Sequence, residues 1–162
     1  MDVVLWEKKN NVGWLTLNCP ETRNALSLEM IGTIQAQLNQ LRNREDIRAL
    51  VVRGNGPVFC AGHNLRELTD VMSEVGRLRQ IFMACSEMML TLQALPQPVI
   101  AQVHGIATAA GCQLGAACDL AEAAAYRYAT ESMVVNSMDM DAGEGISAFL
   151  EKRSPVWKKR DR

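Results

Sequence analysis

Two recurring features of this chain predict an α/β fold. Short apolar runs rich in β-forming residues stop at loops marked by glycine or proline, and each loop leads into a stretch of helical periodicity. With 162 residues, 48% of them hydrophobic, the chain is long enough for a domain with a real core.

The first run, Val12-Gly13-Trp14-Leu15-Thr16-Leu17-Asn18, predicts a strand that ends at Cys19-Pro20, where proline cannot continue the ladder. Apolar residues then fall at Leu28, Ile31, Ile34, Leu38 and Leu41. This three-and-four spacing puts them on one face of a helix with Ser27 as N-cap, ending near Asn43. Arg48-Ala49-Leu50-Val51-Val52-Arg53 predicts a second strand, closed by the turn Gly54-Asn55-Gly56-Pro57. A longer helix follows, with Val75, Leu78, Phe82, Cys85, Met89 and Leu92 as its buried face and its methionines as core filler, until Pro96 and Pro98 stop it. Pro98-Val99-Ile100-Ala101-Gln102-Val103 is a third strand, and the small residues after Gly105 open another helix through Ala109–Leu114. Further helical faces are predicted around Tyr126, Ala129 and Met133, and around Ile146, Phe149 and Leu150.

Composition removes several function classes. Net charge is −1 and the basic residues are scattered, apart from Lys158-Lys159-Arg160, so no nucleic-acid partner is expected. The five cysteines form no CxxC pair and only two histidines exist, which predicts reduced thiols and no metal site. No apolar run approaches the roughly 18 residues of a membrane span, and Met1–Lys9 lacks a basic segment followed by an apolar one; the reading is a cytoplasmic protein with no membrane span. Asp139–Gly143 resembles the start of a calcium loop, but Leu150 stands where the closing Glu belongs and Glu144 where glycine belongs. Gly54-Asn55-Gly56-Pro57 lacks the third glycine of a dinucleotide site.

Two loops carry candidate chemistry: Phe59-Cys60-Ala61-Gly62-His63-Asn64-Leu65 and His104-Gly105-Ile106-Ala107-Thr108-Ala109-Ala110-Gly111-Cys112-Gln113. Each joins a strand end to a helix start through small residues, where backbone N–H groups can face an anion. Small residues at such joints also serve close packing, and the residues alone leave both readings open.

The motifs resemble those of the crotonase (enoyl-CoA hydratase/isomerase) superfamily. Phe59–Leu68 is similar to its F-[SA]-A-G-x-D-[LI]-x-E-[LM] signature, Gly105–Gln113 to its second glycine-rich loop, and Asn18–Ser27 to its early N-A-L-[ST] segment. Glu144–Pro155 adds a fourth match. The resemblance implies a crotonase-like ββα spiral core, shortened, with C-terminal oligomerisation helices. It divides the chain into a partial spiral core (1–122) and a helical segment (123–162). It implies an oxyanion hole for a thioester carbonyl from the backbone N–H groups of His63 and Ala110, and an acyl-CoA site involving Arg23, Ala25, Ala61, Asn64 and Leu65. The His63 imidazole itself is read as solvent-exposed. No cofactor is expected, since CoA would enter as part of the substrate, and the implied partner is a second copy of the chain in a trimer or dimer of trimers.

The chain departs from the family pattern at Gln113, where a catalytic glutamate is expected. An amide can orient water but cannot exchange its proton near neutral pH. The segment expected after Cys118-Asp119-Leu120, with the second glutamate, is also missing, which would leave apolar helix faces for a partner subunit to cover. The resemblance therefore implies either an enoyl-CoA hydratase or isomerase acting on α,β-unsaturated acyl-CoA thioesters, or a non-catalytic acyl-CoA-binding or assembly module, or an inactive truncated paralogue.

Overall fold

The computed structural model describes residues 2–121, 144, 148, 151–154 and 156. The chain divides into two compact units, Met1–Ala125 and Tyr126–Arg162. In the second unit, the Arg153 guanidinium pairs with Glu144 and Glu151, and the Arg153 N–H donates to the Ala148 carbonyl at 3.0 Å. The helical faces predicted around Tyr126–Met133 and Ile146–Leu150, and with them the oligomerisation helices, lie outside the described residues apart from the isolated Ala148.

The first unit is built on a five-stranded sheet in the order β1-β2-β3-β5-β7 (β1 Val4–Lys9, β2 Val12–Leu17, β3 Ala49–Gly54, β5 Val99–Gln102, β7 Leu120–Ala121). The first pair is an antiparallel hairpin, and every later pair is parallel. Parallel neighbours need crossovers, and the helices supply them. The helix α1 (Leu28–Leu41) links β2 to β3. Between β3 and β5 run β4 (Val58–Cys60), α2 (Leu65–Asp70) and α3 (Val75–Gln93), and between β5 and β7 run β6 (Ile106–Ala107) and α4 (Ala110–Ala116). The strands β4 and β6 pair with each other in a small second sheet, so each turn of the chain reads strand, strand, helix. This is the ββα spiral expected from the motifs.

The core forms where one face of the sheet meets two helices. Leu15, Leu17, Leu50, Val52 and Ala101 from the strands join Ile31, Ile34 and Leu38 of α1 and Cys85, Met88 and Leu92 of α3 in one buried cluster. Each fully buried Leu, Ile, Val or Met among them contributes about 1.5–3 kcal/mol through burial. Ser27 caps α1 as predicted, its hydroxyl accepting the Met30 N–H at 3.1 Å, and the helix stops at Leu41 rather than Asn43. Asp119, at the far edge, accepts the Val99 N–H at 2.7 Å and pins β5 to the chain beyond α4.

Several elements exceed the sequence reading. The strands β4, β6 and β7 and the helix α2 are short, and their stretches carry too few residues for periodicity to register, whereas β1 is as long as β2 but ends in Glu7-Lys8-Lys9 and buries only Val4. The face assigned to α3 is corrected. Ile81, Cys85, Met88 and Leu92 are buried, whereas Val75 is 73% and Phe82 44% exposed. The methionines divide in the same way: Met88 fills the core, but Met83 is 63% exposed. All five cysteines are free, and Cys112 alone is fully at the surface.

Candidate functional site

The first loop leaves β4 and reaches α2 within four residues, Ala61–Asn64. Three backbone hydrogen bonds tie it to the segment before α1. Ala61 N–H donates to the Arg23 carbonyl (3.0 Å), Leu26 N–H to Gly62 (2.8 Å) and Asn64 N–H to Leu26 (3.1 Å). The Asn64 side chain then caps α2 by accepting the Arg66 N–H at 3.1 Å. Arg23 and Asn24 both hold positive φ, 58° and 54°. Asn24 supports that bend: it is completely buried, its amide donates to the carbonyls of Asn55 (2.9 Å) and Val58 (2.8 Å), and its oxygen accepts the Cys19 N–H (2.9 Å).

The second loop is strapped onto the first. β6 runs parallel to β4 with Cys60 opposite Ala107, Thr108 N–H donates to the Cys60 carbonyl (3.1 Å), and the Thr108 hydroxyl donates to the Ala61 carbonyl (3.0 Å). Gly62 sits at the crossing point with φ +91°. A β-carbon there would lie 3.0 Å from the Ala109 Cβ and 3.3 Å from the Ala110 nitrogen, so both conformation and space demand glycine. Gly111 is constrained from the other side, since a side chain there would collide with the Cys60 carbonyl. Ala109 precedes α4 at φ 48°, ψ −124°, a conformation that an L-residue adopts only under strain.

The two proposed oxyanion donors therefore flank one contact. His63 follows Gly62 and Ala110 follows Ala109, and neither N–H donates to any group among the described residues. An unpaired backbone donor is uncommon in a folded interior and is available for a ligand oxygen. Ala110 is buried, and Gln113 lies exposed one turn further along α4. Around the first loop Ala25, Ala61 and Asn64 are half-buried, Arg23 is exposed, and Leu65 is 74% exposed.

The His63 imidazole does not face solvent as expected. It is half-buried, edge-on to the Phe82 ring of α3 at 5.0 Å between centroids, and its Nδ1 has no hydrogen-bond partner. Burial lowers its pKa and favours the neutral ring. Burial also pushes the Cys60 thiol up to about 11, so beneath the loops it behaves as an apolar group. Sequence reasoning missed Asn24, Thr108 and Phe82. Asn24 carried a signal, as a polar residue inside a matched motif, whereas the Phe82–His63 contact spans 19 positions and had none.

Among the described residues no three His, Cys, Asp or Glu side chains are placed to hold a metal ion, and no helix is long and apolar enough to cross a membrane. Two cavities lie off the loops. One of about 480 Å3 is bordered by Arg42, Arg44, Arg48 and Gln97 at the opposite ends of the strands. The other, an open apolar groove of about 580 Å3, runs along Val75, Phe82, Met83 and Leu90. Of these two, the groove reaches the candidate site, through Phe82.

Against this geometry, comparisons with known proteins agree. The profile of the family described as Enoyl-CoA hydratase/isomerase matches residues 7–131. The chain is 41% identical over 150 residues to "Enoyl-CoA hydratase domain-containing protein 3, mitochondrial" of Xenopus laevis, covering 91% of this chain and 50% of that one. The Danio rerio protein of the same name is 42% identical over 75% of this chain and 42% of its own length. An enoyl-CoA hydratase structure from Bacillus anthracis superposes with a TM-score of 0.71 and 30% identity, over 74% of this chain and 46% of that one. The chain thus spans about half the length of the curated relatives it matches. The names of the vertebrate relatives overturn the cytoplasmic reading, since they place those proteins in mitochondria. Compartment is set by address segments read by receptors, and the composition of a folded domain does not encode it.

Proposed function

This chain belongs to the enoyl-CoA hydratase/isomerase family, and from that premise we propose that it binds acyl-CoA thioesters with the His63 and Ala110 N–H groups around the thioester carbonyl. One observation carries the reading: the two loops meet at Gly62, and the donors on either side have no partner among the described residues. Arg23, Ala25, Ala61, Asn64 and Leu65 would border the CoA moiety, with no other cofactor. Two such donors polarise a carbonyl without moving a proton, and losing one from a working oxyanion hole costs about 3–4 kcal/mol of transition-state stabilisation.

Gln113 favours binding over hydration. It is exposed on α4 at the position matched to a catalytic glutamate, and its amide has no proton to exchange near neutral pH. Turnover of an α,β-unsaturated acyl-CoA is the second reading, supported by the family membership. A homo-oligomer, a core ending near residue 122 and a mitochondrial rather than cytoplasmic setting complete the proposal, the last supported by the names of the vertebrate relatives. Calorimetric titration with CoA beside crotonyl-CoA turnover separates the readings: binding without turnover is expected, turnover establishes the enzyme, and absence of both defeats the proposal.

A further inference from the structure

The helix α2 follows the Ala61–Asn64 loop directly, yet none of its side chains is buried. A cavity of about 240 Å3 opens between this helix, Leu28 at the start of α1, and Arg77, Gln80 and Ile81 of α3. Apolar burial anchors only its C-terminal end, where the cap residue Val71 is 5% exposed, and leaves the first turn to other contacts. A polar contact crosses the gap: the Glu67 carboxylate accepts the Leu28 N–H at 2.9 Å, joining positions 39 residues apart. That N–H is one of the donors that the first turn of α1 leaves without an intrahelical partner, and the helix dipole favours a carboxylate there. Ser27 serves the Met30 N–H, so Glu67 and Ser27 divide the opening of α1 between them.

We infer that Glu67 is a positioning residue for the thioester site proposed above: by clamping α2 to α1 it fixes the direction of the His63 N–H four residues upstream. It acts through the backbone and touches no substrate. The backbone bonds of Leu26 reach Gly62 and Asn64 on either side of His63, and Glu67 ties down the helix that follows. A glutamine retains an acceptor oxygen at the same reach, whereas alanine has none.

The test compares the parent chain with Glu67→Ala and Glu67→Gln, using amide hydrogen exchange for the clamp and calorimetry with CoA for the site. In the alanine variant, exchange protection in residues 65–70 and CoA affinity are each expected to fall about tenfold, the size of losing one helix-capping contact, with the protection of β5 and α3 unchanged. The glutamine variant is expected to restore both. Unchanged protection of α2 in Glu67→Ala overturns the clamp. Loss of protection with full CoA affinity overturns the positioning role and leaves the binding reading intact. A parent chain that ignores CoA defeats the binding reading and the positioning role with it, while exchange still decides the clamp.

Discussion

The helices α1 and α3 look alike in sequence and differ in the structure. Both carry apolar residues at steps of three and four, and both pack against the same sheet face. In α1 the stripe is single: Ile31, Ile34, Leu38 and Leu41 are at most 2% exposed, while half-buried Gln35 donates to Thr91 of α3 at 3.0 Å and to the exposed Asn39 at 3.1 Å. In α3 two stripes overlap. Ile81, Cys85, Met88 and Leu92 enter the core, while Val75, Phe82, Met83 and Leu90 form an open groove outside it. A helix with one apolar face declares its orientation. A helix with two leaves the choice to its neighbours.

The contrast can be tested from its strongest expected effect downward. Leu38→Ala, in the sealed interface of α1, should lower unfolding stability by about 3 kcal/mol, read from the denaturant midpoint at unchanged slope. Met88→Ala should cost about 2 kcal/mol, although the periodicity centred on Val75, Phe82 and Met89 places Met88 off the buried face; a cost near zero would restore that face. Phe82→Ala acts on His63 more than on stability. Burial holds the His63 pKa below its ordinary value of about 6.5, so the unfolded chain takes up the proton first as pH falls. Stability is then full above about pH 6.5 and declines as pH drops toward the lower folded value. Opening the ring to water should raise the His63 midpoint in an NMR titration and flatten that decline. Met83→Gln, at a position 63% exposed, should change stability by less than about 0.5 kcal/mol; a large loss would mean that the groove is already covered in solution.

The candidate site was legible to the same unequal degree. The first loop could be located because Gly62 and Asn64 are chosen by local geometry, one by its positive φ and one by capping the next helix. The second loop could be located, but its partner could not, because the straps from Thr108 to Cys60 and Ala61 connect positions nearly fifty residues apart. The His63 ring was misjudged for the same reason. Its burial depends on a phenylalanine of another element, and no local rule reports that contact.

What the sequence determined by itself is local: three interior strands, the cap and stripe of α1, the extent of α3, and two small-residue loops at strand ends. These follow from dihedral preferences, side-chain periodicity and hydrogen-bonding groups within a few residues of one another. Tertiary structure alone decided which stripe of α3 is buried, that β4 and β6 form a second sheet, and that Gly62 and Ala109 meet. Those outcomes depend on which distant surfaces exclude water from each other, a property of pairs of elements that neither segment carries alone.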